Sequence, residues 1–161
     1  MSASRSPAIQ DFYPAGFDTC YGCGRSNPHG LQLKSRWDGD GPDMVARYAP
    51  RPEQIGVSGF AYGGLIASLI DCHAMGTAAA ASERAEGRPI GQREAPRYVT
   101  ASLKVDFLKP TPADSELEVR ARVRELGPRK AIVDATVSAN GVVTARGEVV
   151  AVRIPETMAG G

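Results

Sequence analysis

The sequence of 161 residues contains only three cysteines, and this small, odd number argues against a full disulfide framework. Cys20 and Cys23 form one C-x-x-C motif, but a structural zinc site takes four ligands and no second C-x-x-C follows. His29 offers a third ligand, and nothing nearby in the sequence offers a fourth. We therefore predict small buried thiols in a tight loop, and no metal.

The chain also has little net charge, with 19 Lys and Arg against 18 Asp and Glu. A dedicated nucleic-acid binder is usually clearly basic, so this balance argues against nucleic acid as a partner. It leaves room for a local basic pocket that binds the phosphates of a ligand.

Long apolar runs are missing as well. The first twenty residues contain none long enough for a signal peptide. The longest apolar segment, 65–81, is interrupted by Ser68, Asp71, His73 and Thr77, so it does not read as a membrane span. We expect a cytoplasmic protein with no membrane partner.

The elements that are present follow a clear order, in a chain of single-domain length. Residues 1–30 predict an irregular lead-in, 31–154 a single domain and 155–161 a tail. The periodicity predicts β-β-α-β-β-β-β, with strands at 31–37 and 44–49, a helix at 63–84, and strands at 98–108, 115–126, 129–139 and 142–154. This order predicts an α+β fold in which a curved antiparallel sheet wraps around one long central helix.

The third strand, YVTASLKVDFL at 98–108, alternates without a break, so the pattern predicts which side chains face the helix. The predicted core face carries Val99, Ala101, Leu103, Val105 and Phe107. The predicted opposite face carries Thr100, Ser102, Lys104 and Asp106. Between the last two strands, Asn140-Gly141 predicts a two-residue hairpin turn.

An aspartate in the middle of the apolar helix needs an explanation. The stretch GGLIASLIDCHAMGTAAAA, at 63–81, places Asp71 among apolar neighbours, where burial of an unpaired carboxylate is costly. Glycines at a helix start let a ligand oxygen approach free backbone N–H groups. A carboxylate held among apolar groups can act as a base or a nucleophile. Without the glycines, a capped or solvent-facing aspartate is the simpler interpretation.

The element order and residues 56–71 resemble the hotdog-fold acyl-CoA thioesterases of the phenylacetate-pathway branch. The family motif is roughly G-x-x-G-x-x-H-G-G, followed after six residues by D, and the positions that match it are Gly56, Gly59, Gly63, Gly64 and Asp71. NPHGLQL at 27–33, preceded by CYGCG, resembles the lead-in of one subgroup, and ASLKVDFLKPTP at 101–112 resembles the third strand and its exit turn. The resemblance covers about residues 20–154. Tyr62 departs from it, because the family usually has histidine there.

The resemblance implies the hotdog fold and an acyl-CoA thioesterase that uses no cofactor. It makes the Gly63 N–H, with Gly64 beside it, the donor to the oxyanion and Asp71 the base or nucleophile. It maps a hydroxyl that positions the attacking water onto Thr100, although the alternation of the strand places Thr100 on the opposite face. The candidates for substrate binding are Tyr62, Ser68 and Asn27, together with Lys109, Arg129 and Lys130 for the nucleotide phosphates.

The spacing of Gly63 and Asp71 predicts a homo-oligomer. Eight residues of helix separate them, which is about 12 Å, whereas one reacting carbonyl needs both groups within about 3 Å. Two antiparallel helices at a two-fold interface satisfy that requirement, with Gly63 of one chain meeting Asp71 of the other. We therefore expect a dimer, or a dimer of dimers, that acts on an acyl-CoA.

Of two other functions, the sequence leaves one open and argues against the second. Because Tyr62 replaces the histidine of the family, the chain can instead be a non-catalytic hotdog protein that binds an acyl or aromatic CoA ligand. A hydratase needs Asp and His on one substrate, but His73 lies about 200° around the helix from Asp71. Cys72 has no base on its own face, so we predict a buried structural cysteine. The acyl chain, and the choice between a water route and an anhydride route, stay undetermined.

Overall fold

The computed structural model describes residues 6–158, in which six antiparallel strands form one curved sheet around a single long helix. The sheet order is β1-β2-β4-β5-β6-β3, so β3 forms one edge. This architecture confirms the predicted α+β hotdog fold. A 3₁₀ turn at Ile9–Phe12 precedes β1 (Arg36–Trp37), β2 (Met44–Tyr48), α1 (Gly63–Ala85), β3 (Tyr98–Phe107), β4 (Leu117–Leu126), β5 (Lys130–Ala139) and β6 (Val142–Arg153). The first five residues of the predicted lead-in and the last three of the predicted tail lie outside the described residues.

The central helix is α1, and its apolar and small side chains explain its position. From Leu65 to Glu83 most of its side chains are buried, because β3, β4, β5 and β6 all pack against it. By length and composition α1 could also cross a membrane, but 72% of that apolar window is buried inside the protein. Burial on nearly every side is what a core helix surrounded by a sheet requires.

The lead-in packs against the domain more closely than its irregular sequence suggests. The predicted strand at 31–37 is regular only at its end, in β1. Gln32 has a φ of 53°, which breaks the extended run, and the amides of Leu31 and Leu33 bond to the carbonyls of Tyr21 and Gly22 in the lead-in. The carbonyls of the preceding loop therefore accept the backbone hydrogen bonds that a neighbouring strand would otherwise have accepted.

A β-bulge in β3 corrects the predicted assignment of its two faces. Thr100 pairs with Ala151 and Ser102 pairs with Val150, so Ala101 is an extra, unpaired residue. The extra residue reverses the alternation, because side chains change face at every step along a strand. Thr100 therefore shares the helix-facing side with Leu103, Val105 and Phe107. Val99 lies on the other face, contrary to the prediction, and is 47% exposed, and Ala101, predicted for the core face, is the exposed bulge residue.

The predicted hairpin between the last two strands is confirmed. Asn140 and Gly141 have φ values of 51° and 76°, the positive angles that a type I′ turn requires at both central residues. The ladder on either side pairs Ala139 with Val142.

Candidate active site

The start of α1 presents backbone amides that have no acceptor. Tyr62 is the N-cap, and its carbonyl accepts hydrogen bonds from Leu65 and Ile66. Within residues 6–158, the amides of Gly63 and Gly64 donate to no protein group. These two N–H groups lie at the positive end of the helix dipole and are available to an oxyanion.

Close contacts with Tyr62 account for two of the glycines around this helix start. A Cβ on Gly64 would lie 2.5 Å from Cε2 of Tyr62, so the Tyr62 ring covers that position. A Cβ on Gly56 would lie 3.3 Å from the Cα of Tyr62, which explains the first glycine of the motif. At Gly63 a Cβ would meet only the tip of the Phe107 ring, at 3.3 Å. Gly63 is thus the one of the three with flexible surroundings.

A cleft of about 620 Å³ opens beside this helix start. Its walls are mainly apolar, and the Tyr62 and Phe107 rings on its rim are 40% and 57% exposed. Lys109, at the exit of β3, also lines it, so one of the three predicted phosphate-binding residues lies on the same cleft as Gly63. The full lining is Gly56, Val57, Phe60, Ala61, Tyr62, Gly63, Ile66, Phe107, Leu108, Lys109, Pro110 and Thr111.

Asp71 and Thr100 form the second polar feature on this side of the molecule. Asp71 is half-buried, and the Thr100 hydroxyl on the edge strand donates a hydrogen bond to its Oδ1. Burial raises the pKa of the Asp71 carboxyl, although the Thr100 hydrogen bond and the charge of Arg97 oppose that change. The bulge at Ala101 turns Thr100 toward the helix, so it brings together two residues that simple alternation kept apart.

An open stripe along the first three turns of α1 connects these two features. The residues of this region that are not buried are all small or polar, and they are Gly63, Gly64, Ala67, Ser68 and Asp71. Gly63, Ala67 and Asp71 follow one another at intervals of four, so they lie on nearly the same face of the helix. A core helix that is otherwise enclosed therefore leaves one narrow face uncovered.

The other predicted substrate-binding residues divide among three places. The Ser68 hydroxyl lies on the open stripe and donates to the Gly64 carbonyl at 2.8 Å. Arg129 and Lys130 lie at the turn into β5. The next residue, Ala131, pairs with Ala151 of β6, and Ala151 also pairs with Thr100 of β3 on its other side. This is the Asp71 end of the sheet, opposite to Lys109. Asn27 is held within the lead-in, where its side chain bonds the carbonyl of Thr19 and the amide of His29.

His73 is a structural residue, which agrees with the prediction that it does not pair with Asp71 within one chain. Its ring is fully buried, with Nδ1 2.7 Å from the Ser35 hydroxyl and Nε2 3.0 Å from the Met44 carbonyl. Burial lowers the pKa of His73 to about 4. Because both ring nitrogens are already bonded in the core, His73 and Asp71 do not meet at one site in this chain.

The three cysteines meet beside Asp71, an association that the sequence spacing did not reveal. Cys72 of α1 lies against Cys20 and Cys23 of the lead-in, and the three sulfurs lie within 4.8 Å of one another. The third side chain beside Cys20 and Cys23 is therefore that of Cys72, and not that of His29, which is exposed. Hydrogen bonds from the Cys23 and Cys72 thiols lower the pKa of Cys20. Arg97, half-buried just before β3, was also missed, because nothing in its sequence context marks it.

Comparisons with known proteins identify relatives of the same architecture. The family whose model matches residues 58–146 is described as the thioesterase superfamily. A thioesterase superfamily protein from Shewanella loihica is 42% identical, with a TM-score of 0.64 over 79% of this chain and 95% of that chain. The PaaI protein of the E. coli phenylacetic acid degradation operon is 18% identical, with a TM-score of 0.61 over 78% and 81%. A Streptococcus mutans protein bound to acetyl CoA is 17% identical, with a TM-score of 0.59 over 76% and 88%. No curated protein matches this chain.

Proposed function

This chain belongs to the thioesterase superfamily, and we propose that it hydrolyses acyl-CoA thioesters at composite sites shared by two copies of the chain. In each site the Gly63 amide of one copy binds the developing oxyanion. Asp71 of the other copy, held by Thr100, acts as the base or the nucleophile.

The open stripe on α1 carries this proposal. It holds an unpartnered donor at Gly63 and a carboxylate at Asp71, but eight residues of continuous helix keep them about 12 Å apart. Two such helices packed antiparallel about a two-fold axis through Ala67 bring each Gly63 opposite the other copy's Asp71. Ala67 is small, so the helices can approach closely at that axis.

The edge strand supports the same dimer. Among residues 6–158, β3 is hydrogen-bonded on one side only, and its ten residues leave a row of backbone donors and acceptors free on the other. Val99, Leu103 and Phe107 on this strand are substantially exposed although they are apolar. A second copy that pairs along this edge would satisfy the backbone groups and cover those side chains.

The dimer also unites the predicted substrate contacts. Lys109 lies at the Gly63 end of the sheet, and Arg129 and Lys130 lie at the Asp71 end. Antiparallel pairing puts Lys109 of one copy on the same site as Arg129 and Lys130 of the other. Three cations then flank each site for the nucleotide phosphates, and the apolar cleft beside Gly63 takes the acyl group.

The chemistry follows from these groups. The Gly63 amide stabilises the negative charge on the carbonyl oxygen as the thioester is attacked. Asp71 either removes a proton from the attacking water or adds to the carbonyl itself, and water then releases the acid. Both routes consume one water and give a carboxylic acid and free CoA thiol. The phenylacetate-operon neighbour and the acetyl-CoA-bound neighbour favour an acyl-CoA of the short or aromatic class.

A hydrolysis screen tests the proposal. The purified chain is assayed for release of CoA thiol from short, long and aromatic acyl-CoAs, beside Asp71→Asn and the control Asp106→Asn on the outer face of β3. We expect Asp71→Asn to fold normally and to lose at least about 100-fold in kcat, because positioned bases contribute that much. The control should keep the wild-type rate. Hydrolysis by Asp71→Asn at the wild-type rate would refute the assignment.

Tyr62 gives a second candidate, a hotdog protein that binds acyl-CoA without hydrolysing it. The Tyr62 ring lies over Gly64 at the helix start, where the family usually has histidine. In the same screen, this candidate predicts saturable binding of an acyl-CoA with no release of thiol above the level of Asp71→Asn.

A further inference from the structure

Three sulfurs converge at the junction of the lead-in and the central helix. Cys20 and Cys23 come from the lead-in and Cys72 from α1, and all three Sγ atoms lie within 4.8 Å of one another. The Cys20 and Cys72 sulfurs are 3.8 Å apart. Sulfurs bound at about 2.3 Å to one tetrahedral zinc ion stand about 3.8 Å apart, so this separation matches shared coordination.

The loop that carries Cys20 and Cys23 is shaped around the third sulfur. A Cβ on Gly22 would lie 2.2 Å from Sγ of Cys72, so only glycine lets the loop approach that thiol. The Gly24 amide closes the turn on the Cys20 carbonyl at 2.8 Å, and a Cβ there would lie 2.4 Å from the Cys20 nitrogen. The sequence C-x-G-C-G is therefore needed for the turn that presents two sulfurs to Cys72.

A buried hydroxyl without a partner stands near the same cluster. Tyr13 is 1% exposed, and its Oη is the buried side-chain polar atom that finds no hydrogen bond within residues 6–158. It lies within electrostatic range of all three sulfurs, as does the Arg97 guanidinium over its ring. An orphaned hydroxyl in the core is explained by a water or an ion beside it. Arg97 supplies a positive charge that offsets bound thiolates.

We propose that Cys20, Cys23 and Cys72 together bind one thiolate-preferring metal ion, Zn²⁺ or Cu⁺. Cysteine sulfur is the ligand that both ions favour. Binding displaces the thiol protons to solvent, and for zinc a small non-protein ligand takes the fourth position. The ion fastens the lead-in to α1 one residue from Asp71. This revises the expectation from the sequence, which counted two thiols and the distant His29.

Disulfide bonding does not explain the cluster equally well. A disulfide would join two of the sulfurs at about 2.05 Å and leave the third unpaired. One metal ion can use all three sulfurs, and the Cys20–Cys72 separation of 3.8 Å already matches its coordination geometry.

The test begins with elemental analysis of the full chain, purified under reducing conditions without chelator. We expect about one zinc or copper per chain, and the element found distinguishes the two ions. Cys72→Ser should lose most of this metal. His29→Ala, which removes the third ligand suggested by sequence alone, should keep it.

Cobalt supplies a readout that does not depend on the stability of a variant. Wild-type protein stripped by chelator is titrated with Co²⁺, which should give sulfur-to-cobalt charge-transfer bands that saturate at about one equivalent and disappear on adding Zn²⁺. Protein that is purified without metal and gives no thiolate bands with Co²⁺ would overturn the proposal. A native Cys20–Cys72 or Cys20–Cys23 disulfide, found by mass spectrometry under the same conditions, would overturn it as well.

Discussion

Subunit complementation tests whether one site draws residues from two chains. Asp71→Ala removes the carboxylate and leaves the helix start intact. Gly63→Val leaves Asp71 intact and puts a branched side chain where the oxyanion would bind. A Cβ at this position meets only the tip of the exposed Phe107 ring, which can move aside, so the variant should still fold. Each variant alone has no complete site.

The expected recovery follows from counting sites. Equal amounts of the two variants, exchanged at random, give about half mixed dimers. In a mixed dimer one site combines the intact Gly63 of one chain with the intact Asp71 of the other, and its second site lacks both. Half of the dimers therefore hold one working site out of two, so about a quarter of wild-type activity should return. If the two variants are mixed in a ratio of one to three, about a fifth of wild-type activity should return.

The assay compares thiol release before and after exchange, with native mass spectrometry to show that mixed dimers form. Wild type mixed with Asp71→Ala is the control, because about half of the activity remains with or without exchange. If mixed dimers form and the two dead variants stay as inactive as before, each site lies within one chain and the composite arrangement is wrong.

Two further predictions address the Thr100 contact and the end of α1. Thr100→Val removes the hydrogen bond to Asp71 without changing shape, so kcat should fall about tenfold or more, with KM little changed, since a hydrogen bond to a charged group contributes about 1.5–3 kcal/mol. Thr100→Ser should restore most of the rate, and equal rates for Val and Ser would contradict the positioning role. Glu83 is 4% exposed and bonds Arg88 and Arg93; burial alone would raise its pKa, but these bonds outweigh burial and lower it to about 2. Its contribution, up to about 3 kcal/mol, is present above pH 4.5 and lost as the pH falls toward 2, so Glu83→Gln should lower the free energy of unfolding at pH 7 and by roughly half as much or less near pH 3. The difference in free energy of unfolding between wild type and Glu83→Gln is measured by urea unfolding at pH 7 and at pH 3. A difference that is no smaller at pH 3 would refute this.

The elements of the domain were predictable because their signals are local. The period of the strands, the Asn140-Gly141 turn and the apolar length of α1 each depend on residues within a few positions of one another. The observed helix ends one residue beyond the predicted one, and β3 to β6 lie within two residues of their predicted bounds.

The failures all depend on contacts between distant parts of the chain. No residue type marks the bulge at Ala101, yet one extra residue decides which face Thr100 occupies. The meeting of Cys72 with Cys20 joins residues 52 positions apart, so motif spacing could not find it. The backbone bonds of Leu31 and Leu33 to the lead-in likewise replace the predicted ladder of the first strand.

The position of Asp71 within α1 follows from the symmetry of the proposed dimer. Consider two identical antiparallel helices related by a two-fold axis. A residue that meets the partner's first turn must lie on the far side of the axis, at the same distance from the axis as the first turn of its own helix. Ala67 is midway between Gly63 and Asp71, and the three occupy nearly one face of the helix. The residue at the axis must be small for the backbones to approach, and the face must stay free of the chain's own sheet. Ala67 is small, and the stripe around it stays partly open, with the β3 residues Thr100 and Phe107 touching only its two ends. A helix made only to fill a sheet would be covered on this face too, and the proposed dimer accounts for the aspartate in its middle by placing it at the helix start of a second copy.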